Sequence, residues 1–170
     1  MREAHRHIVL IGMMGVGKTT IGRLLAKRLG WGFWDNDEAL TKATGETAAQ
    51  IQRARGQAGL HAVENRLLRE ALAGRDPSVF AAAGSVVLKP ELLKDQLTVW
   101  LRSTPAREER NIARSGQRHR PLPGDAIAVL QHLSEARLPM YERLADVTVD
   151  VTGDPESTCD RVIAALDHPI

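Results

Sequence analysis

The chain has 170 residues, a length that suits one domain able to bury about 70% of its unfolded surface without disulfide or metal staples. Charged residues make up 26% and hydrophobic ones 43%, and no apolar run approaches the roughly 20 residues of a membrane span, so disordered and membrane-embedded classes are excluded. A formal net charge of +2 is too small to argue for a nucleic-acid partner, and the lone Cys159 allows no internal disulfide, which fits a reducing cytoplasm.

The opening residues, MREAHRH, run straight into the apolar set Ile8, Val9, Leu10 and Ile11, so no leader is expected and a buried first strand is. Residues 12–19 then read GMMGVGKT, which fits G-x-x-x-x-G-K-[ST] at every fixed position and lies between a strand pattern and a helix pattern, as a phosphate-binding loop requires. Gly12, Gly15 and Gly17 let backbone N–H groups turn inward as an anion nest, and the helix that follows aims its positive end at the same point. Lys18 supplies a mobile charge for β and γ phosphates, and the hydroxyl of Thr19 suits a Mg²⁺ ion that otherwise keeps water and phosphate oxygens. A Gly-rich turn that binds nothing is the bland alternative.

Ile21, Leu24, Leu25 and Leu29 recur at helical spacing up to Gly30, a C-terminal stop. Residues 32–34 read as a second strand delivering Asp35 and Asp37 at its carboxyl edge, the rim where open parallel sheets bind ligands. Strand alternation would send the two acids to opposite sides: Asp35 to the metal, Asp37 to orient or deprotonate an acceptor hydroxyl. Capping of a helix starting near Glu38 is the competing reading for Asp35.

Helical pattern covers 38–74, with breaks near Gly45 and between Gly56 and Gly59, and with Leu60, Val63, Leu67 and Ala71 on one face. Residues 78–83 read as a buried strand, Gly84 and Ser85 as a turn, and Pro90 as the start of a short helix. Residues 97–101 form another buried strand pattern, with Thr104 a helix cap and Pro105 the first helical residue. Arg107, Arg110, Arg114, Arg118 and Arg120 follow. A solvated helix face is the usual meaning of such a run, but a triphosphate also needs cations. Residues 115–125, rich in Pro and Gly, read as a mobile lid; Arg120 is the candidate cation for the moving phosphate and His119 a solvent-exposed neighbour. A helix over 126–144, a fifth strand over 147–151 and a helix from Pro155 to about 166 complete the chain, with Cys159 a buried thiol in the last. Five strands alternating with helices predict an α/β, three-layer architecture: one five-stranded parallel sheet covered on both faces.

GMMGVGKT, FWDND at 33–37, RPL at 120–122 and RLPMY at 137–141 together resemble the shikimate kinase family in order and spacing over nearly the whole chain. The resemblance implies a P-loop NTPase fold of the nucleoside-monophosphate-kinase type as a single domain over 1–170, with a lid at about 115–125. It also implies transfer of the ATP γ-phosphate to the 3-hydroxyl of shikimate with Mg²⁺, in a cytoplasmic monomer of the shikimate pathway and aromatic amino acid biosynthesis, with neither nucleic acid nor membrane as partner. ATP is assigned Gly12, Met14, Gly15, Val16, Gly17, Lys18, Thr19, Thr20, the lid's Arg120, and Pro155 beside adenine; which of Arg110 and Arg114 stacks on adenine stays open. Thr19 and Asp35 are given the metal; Lys18, Asp37 and Arg120 the chemistry; Asp37, His61, Gly84 and Arg137 the substrate, with Arg137 gripping its carboxylate.

Two departures fall on the acceptor pocket. Where the family has Phe-Arg, this chain has Leu60 and His61, with the downstream Glu64 kept; where it has three glycines, this chain has Ala83, Gly84 and Ser85. Histidine offers one bond in place of arginine's two and is mostly neutral at cytoplasmic pH, given a reference pKa of about 6.5. The methyl of Ala83 and hydroxyl of Ser85 are expected to crowd the pocket. Two further readings follow: the same chemistry on another small hydroxy acid or polyol, or an ATP-binding module without turnover, against which retention of Asp37 speaks.

Overall fold

A computed structural model describes residues 7–115 and 124–167. The elements are β1 (Ile8–Ile11), α1 (Lys18–Leu29), β2 (Gly32–Asp35), α2 (Asn36–Thr44), α3 (Ala48–Leu72), β3 (Ser78–Ala81), β4 (Leu97–Arg102), α4 (Pro105–Ser115), α5 (Ala126–Leu144), β5 (Val147–Asp150) and α6 (Pro155–Asp167). Short 3₁₀ turns at Gly84–Leu88 and Pro90–Leu93 link β3 to β4.

The four apolar residues of β1 are all buried because each face of the strand meets a different layer. Val9 and Ile11 join Phe80, Leu68, Leu72, Leu130 and Tyr141 under α3 and α5. Ile8 and Leu10 join Ile21, Leu25, Cys159 and Val162 under α1 and α6. Cys159 is thus a fully buried packing residue, as expected. A smaller cluster of Leu40, Ala48, Ile51, Leu60 and Val63 ties α2 to α3.

The sheet order is β2-β3-β1-β4-β5, and every pairing is parallel, with Val9 opposite Phe80 on one side and Thr98 on the other. The chain moves to one side of β1 for β2 and β3, then crosses to the other for β4. That reversal opens a crevice beyond the carboxyl ends of the strands, where the loop after β1 lies.

Several boundaries differ from the sequence reading in ways that bear on the site. Asp35 closes β2 and its carboxylate accepts from the backbone N–H groups of Asp37 and Glu38 at 3.0 and 3.1 Å, so α2 starts at Asn36 and Asp37 stands in a helical turn, not at a frayed strand end. The break in the second helical stretch is at Gly56 (φ 73), whereas Gly59 is helical. Strand β3 stops at Ala81, two residues early. Thr104 caps α4 as expected, accepting from the Arg107 N–H at 3.3 Å. Helix α4 includes Ser115, and the carboxylate of Asp125 caps α5 at the N–H of Ile127, 3.1 Å away. The heart of the expected lid, with His119 and Arg120, lies outside the described residues.

Candidate active site

Residues 12–17 connect the carboxyl end of β1 to α1. Helix α1 has no acidic residue in its first turn and no side chain capping its Gly17 end, so its leading N–H groups face outward without a protein partner from a side chain, the arrangement that receives an anion. Lys18 Nζ donates to the carbonyls of Gly12 at 2.7 Å and Met13 at 2.9 Å, spanning the loop's own concavity. Burial pulls its pKa down to about 8, against the opposing pull of Asp37, Glu108 and Asp35.

The glycines serve a role that the motif alone does not reveal. Gly15 has φ +79, and a Cβ there would meet Glu108 O at 2.5 Å and Ile112 Cγ1 at 2.9 Å. The loop is therefore pressed flat on α4, and Asn111 Nδ2 completes the contact by donating to Gly15 O at 2.7 Å. The absent side chain makes room for α4 behind the loop, which leaves its front open.

Thr19 Oγ1 donates to Asp35 Oδ1 at 2.6 Å, while the other oxygen of Asp35 caps α2. Capping thus occupies one oxygen of Asp35 and the Thr19 hydroxyl the other. Among the described residues no group of three or more His, Cys, Asp or Glu is placed to hold a metal. One hydroxyl and one carboxylate at the mouth of a phosphate loop fit Mg²⁺, which keeps most of its water and takes phosphate oxygens instead of an all-protein cage.

Loop and acids face one cleft of about 1140 Å³, lined by Met14, Gly15, Val16, Gly17, Lys18, Thr19, Thr20, Asp35, Asp37, Gly84, Arg137 and Pro155. Gly12 is buried behind it and takes part through its carbonyl. Arg137 is only 8% exposed. A Cβ on Gly84 would stand 3.3 Å from Gly12 O, 3.5 Å from Arg137 Nη1 and 3.6 Å from Met14 N, so the turn after β3 touches the loop and the arginine together. Tyr141 fixes that turn by donating to Gly84 O at 3.3 Å, and its ring stacks on Trp100 with 5.2 Å between centroids. Burial pushes the Tyr141 phenol up to about 12, partly offset by Arg137.

Two expected acceptor-side residues stand elsewhere. His61 is half-buried on α3 and is not among the residues lining the cleft; Glu64, one turn on, lines it. Ser85 is 4% exposed, tucked into the 3₁₀ turn and likewise outside the lining, although Ala83 is part of it. The buried Ser85 therefore adds nothing to the cleft wall. Of the two arginines left open for adenine, Arg114 lines the cleft and Arg110 does not; Arg107 lines it too, donating to Gly153 O.

Sequence reading overlooked Glu108. It is 2% exposed on α4 behind the loop, and among the described residues its Oε2 has no hydrogen-bond partner. Burial raises its pKa to about 7, with Lys18 pulling the other way. Asn36, between the two acids, also lines the cleft. No helix among the described residues is long and apolar enough to cross a membrane.

This geometry agrees with what the chain is similar to. A profile described as "Shikimate kinase" matches residues 14–167. The shikimate kinase of Thiobacillus denitrificans is 36% identical over 163 residues, covering 92% of this chain and 87% of that protein. The shikimate kinase of a Synechococcus strain is 37% identical over 171 residues, covering 97% and 88%. Among solved structures, the Acinetobacter baumannii shikimate kinase in complex with shikimate superposes with a TM-score of 0.89 at 26% identity, covering 96% of this chain and 94% of that one. The chain belongs to the shikimate kinase family.

Proposed function

We propose that this protein transfers the γ-phosphoryl group of ATP to the 3-hydroxyl of shikimate. The observation that carries the reading is the presence of Lys18, Asp37 and Arg137 on the wall of a single cleft. It is supported by relatives named shikimate kinase that match almost the whole chain, and by a structural neighbour whose ligand is shikimate.

Each residue has a distinct task in this reading. The loop amides and the start of α1 bind the phosphates, and Pro155, Arg114 and Arg107, which also line the cleft, are assigned to the base. Lys18 leaves the carbonyls of Gly12 and Met13 for the β and γ phosphates and spreads the charge that develops between them. Thr19 and Asp35 would hold Mg²⁺, which supplies charge neutralisation on the phosphate oxygens. Arg137 takes the acceptor's carboxylate with two parallel charge-assisted bonds and so sets which hydroxyl points at the phosphate. Asp37 orients that hydroxyl and accepts its proton as the oxygen bonds to phosphorus and the bond to the ADP oxygen breaks. Arg120 is assigned to the lid, closing over the phosphate once both substrates are in place.

ADP release coupled to pyruvate kinase and lactate dehydrogenase, with millimolar shikimate against a panel of hydroxy acids, polyols and nucleosides, tests this. Turnover selective for shikimate is expected. Turnover of another acceptor at higher kcat/KM, or none with any, would replace the reading.

A further inference from the structure

Asn36 is the first residue of α2, 6% exposed, between the capping acid Asp35 and the acceptor-side acid Asp37. Its Nδ2 donates to Glu64 Oε2 at 2.6 Å, a buried contact across 28 residues of chain, and lies 3.4 Å from Asp37 Oδ1. Both neighbours are carboxylates. An ionised carboxylate only accepts, so the NH₂ end of the amide must be the end that faces them. An amide nitrogen carries two N–H donors and no net charge, which matches two acceptors beside one another.

The position in the fold gives this contact its meaning. Helices α2 and α3 pack on each other through their own apolar cluster, apart from the two cores against the sheet. Glu64 is 3% exposed and reaches the cleft from α3, whereas Asp37 reaches it from the first turn of α2. Two like charges converging in a partly desolvated cleft repel and turn their side chains apart unless donors lie between them. Asn36 is such a donor, at the start of a turn whose next two backbone N–H groups, those of Asp37 and Glu38, are held by the Asp35 cap.

We propose that Asn36 is a positioning residue for phosphoryl transfer, a neutral two-pronged link that holds Asp37 and Glu64 at a set separation so that Asp37 faces the acceptor hydroxyl. The inference rests on the assignment of Asp37 to the acceptor. Asn36 acts through Asp37, so its loss appears in the turnover of bound acceptor and leaves the nucleotide loop untouched.

The test compares the full-length protein with Asn36→Leu, Asn36→Ser, Glu64→Gln and the Asn36→Leu/Glu64→Gln double variant, measuring kcat with shikimate, KM for ATP and cooperative melting. Removing a hydrogen bond to a charged group predicts a loss of about ten- to a hundredfold in kcat for Asn36→Leu, with KM for ATP within about threefold of wild type. Asn36→Ser, which keeps one donor, should recover at least about threefold over leucine. In the double variant the neutral amide that replaces the Glu64 carboxylate no longer repels Asp37, so kcat should exceed the product of the single effects by about fivefold or more; a merely structural role gives multiplicative losses. Asn36→Leu within about threefold of wild type, multiplicative effects, or a rise in KM for ATP that tracks the loss of kcat each overturn the proposal. If the leucine variant shows no cooperative melt, Asn36→Ser decides: a loss of at least about threefold in kcat with normal ATP binding supports the link, and a smaller one overturns it. Asp37→Asn is run alongside. Full activity there overturns the assignment of Asp37 itself, whereas an inactive Asp37→Asn beside a fully active Asn36→Leu overturns the role of Asn36 alone.

Discussion

Thr19 Oγ1 donates to Asp35 Oδ1 over 2.6 Å, joining the end of the phosphate loop to the end of β2 while the second Asp35 oxygen starts α2. One side chain thus locates the triphosphate side and the acceptor side relative to each other.

That double duty can be separated. Asparagine caps a helix about as well as aspartate, so Asp35→Asn should melt within about 1 kcal/mol of wild type yet need roughly ten- to a hundredfold more Mg²⁺ for half-maximal rate, since a charged ligand is replaced by a neutral one. Asp35→Ala should show the same Mg²⁺ shift together with a cap loss of about 1 kcal/mol. Magnesium titrations of the rate and thermal melts check both.

Gly15→Ala places a Cβ at φ +79 against Glu108 O and Ile112. Strain of about 1–3 kcal/mol adds to a backbone clash that α4 cannot relieve without leaving the loop. A fall in melting temperature and weakened ATP binding measured by calorimetry are expected together, because the same movement causes both.

Glu108 should make stability depend on pH in a particular direction. Its pKa is raised to about 7 in the folded protein from about 4.3 in an unfolded chain. Between these values the folded state binds more protons, so this group's contribution falls as pH rises through the window. Glu108→Gln abolishes that slope: the variant should match wild type near pH 4.5 and exceed it by an amount of order 1–3 kcal/mol near pH 7.5. Lys18, lowered to about 8, acts mainly above that window. Urea unfolding at pH 4.5, 6 and 7.5 measures the difference, and parallel curves for both proteins would contradict it.

Tyr141→Phe removes the hydroxyl that holds Gly84 O while leaving the ring on Trp100. A single hydrogen bond of about 1 kcal/mol implies a rise of roughly fivefold in KM for shikimate. KM for ATP should stay unchanged, since the turn bears on Arg137 and the acceptor wall. Steady-state kinetics with each substrate varied in turn distinguishes the two.

What the sequence disclosed and what it withheld follows the range of the interactions involved. The loop was legible because its chemistry is written in eight consecutive residues, and β1 because four apolar residues in a row fit a strand buried on both faces. The sheet followed from alternation of such runs with helices. Asp37 was legible as an acid at the carboxyl rim of the sheet, but its helical placement was not, because the start of α2 is decided by which N–H groups Asp35 caps. Glu108 has no local signal that sets it apart; its burial arises where α4 meets a loop some 96 residues earlier, as the Asn111–Gly15 bond measures. Glu64 and Asn36 meet across 28 residues. His61 and Ser85 follow the same rule: local sequence gave their neighbours, while packing decides that neither lines the cleft.

The most direct test of the shared cleft is Asp37→Asn, assayed for MgATP affinity by calorimetry and for turnover of shikimate by coupled ADP release. A positioned general base contributes about 10²- to 10⁴-fold, so kcat should fall by that factor while MgATP affinity stays within about threefold. Turnover within about tenfold of wild type, or loss of nucleotide binding in step with activity, would contradict the placement of Asp37 between the phosphate loop and the acceptor.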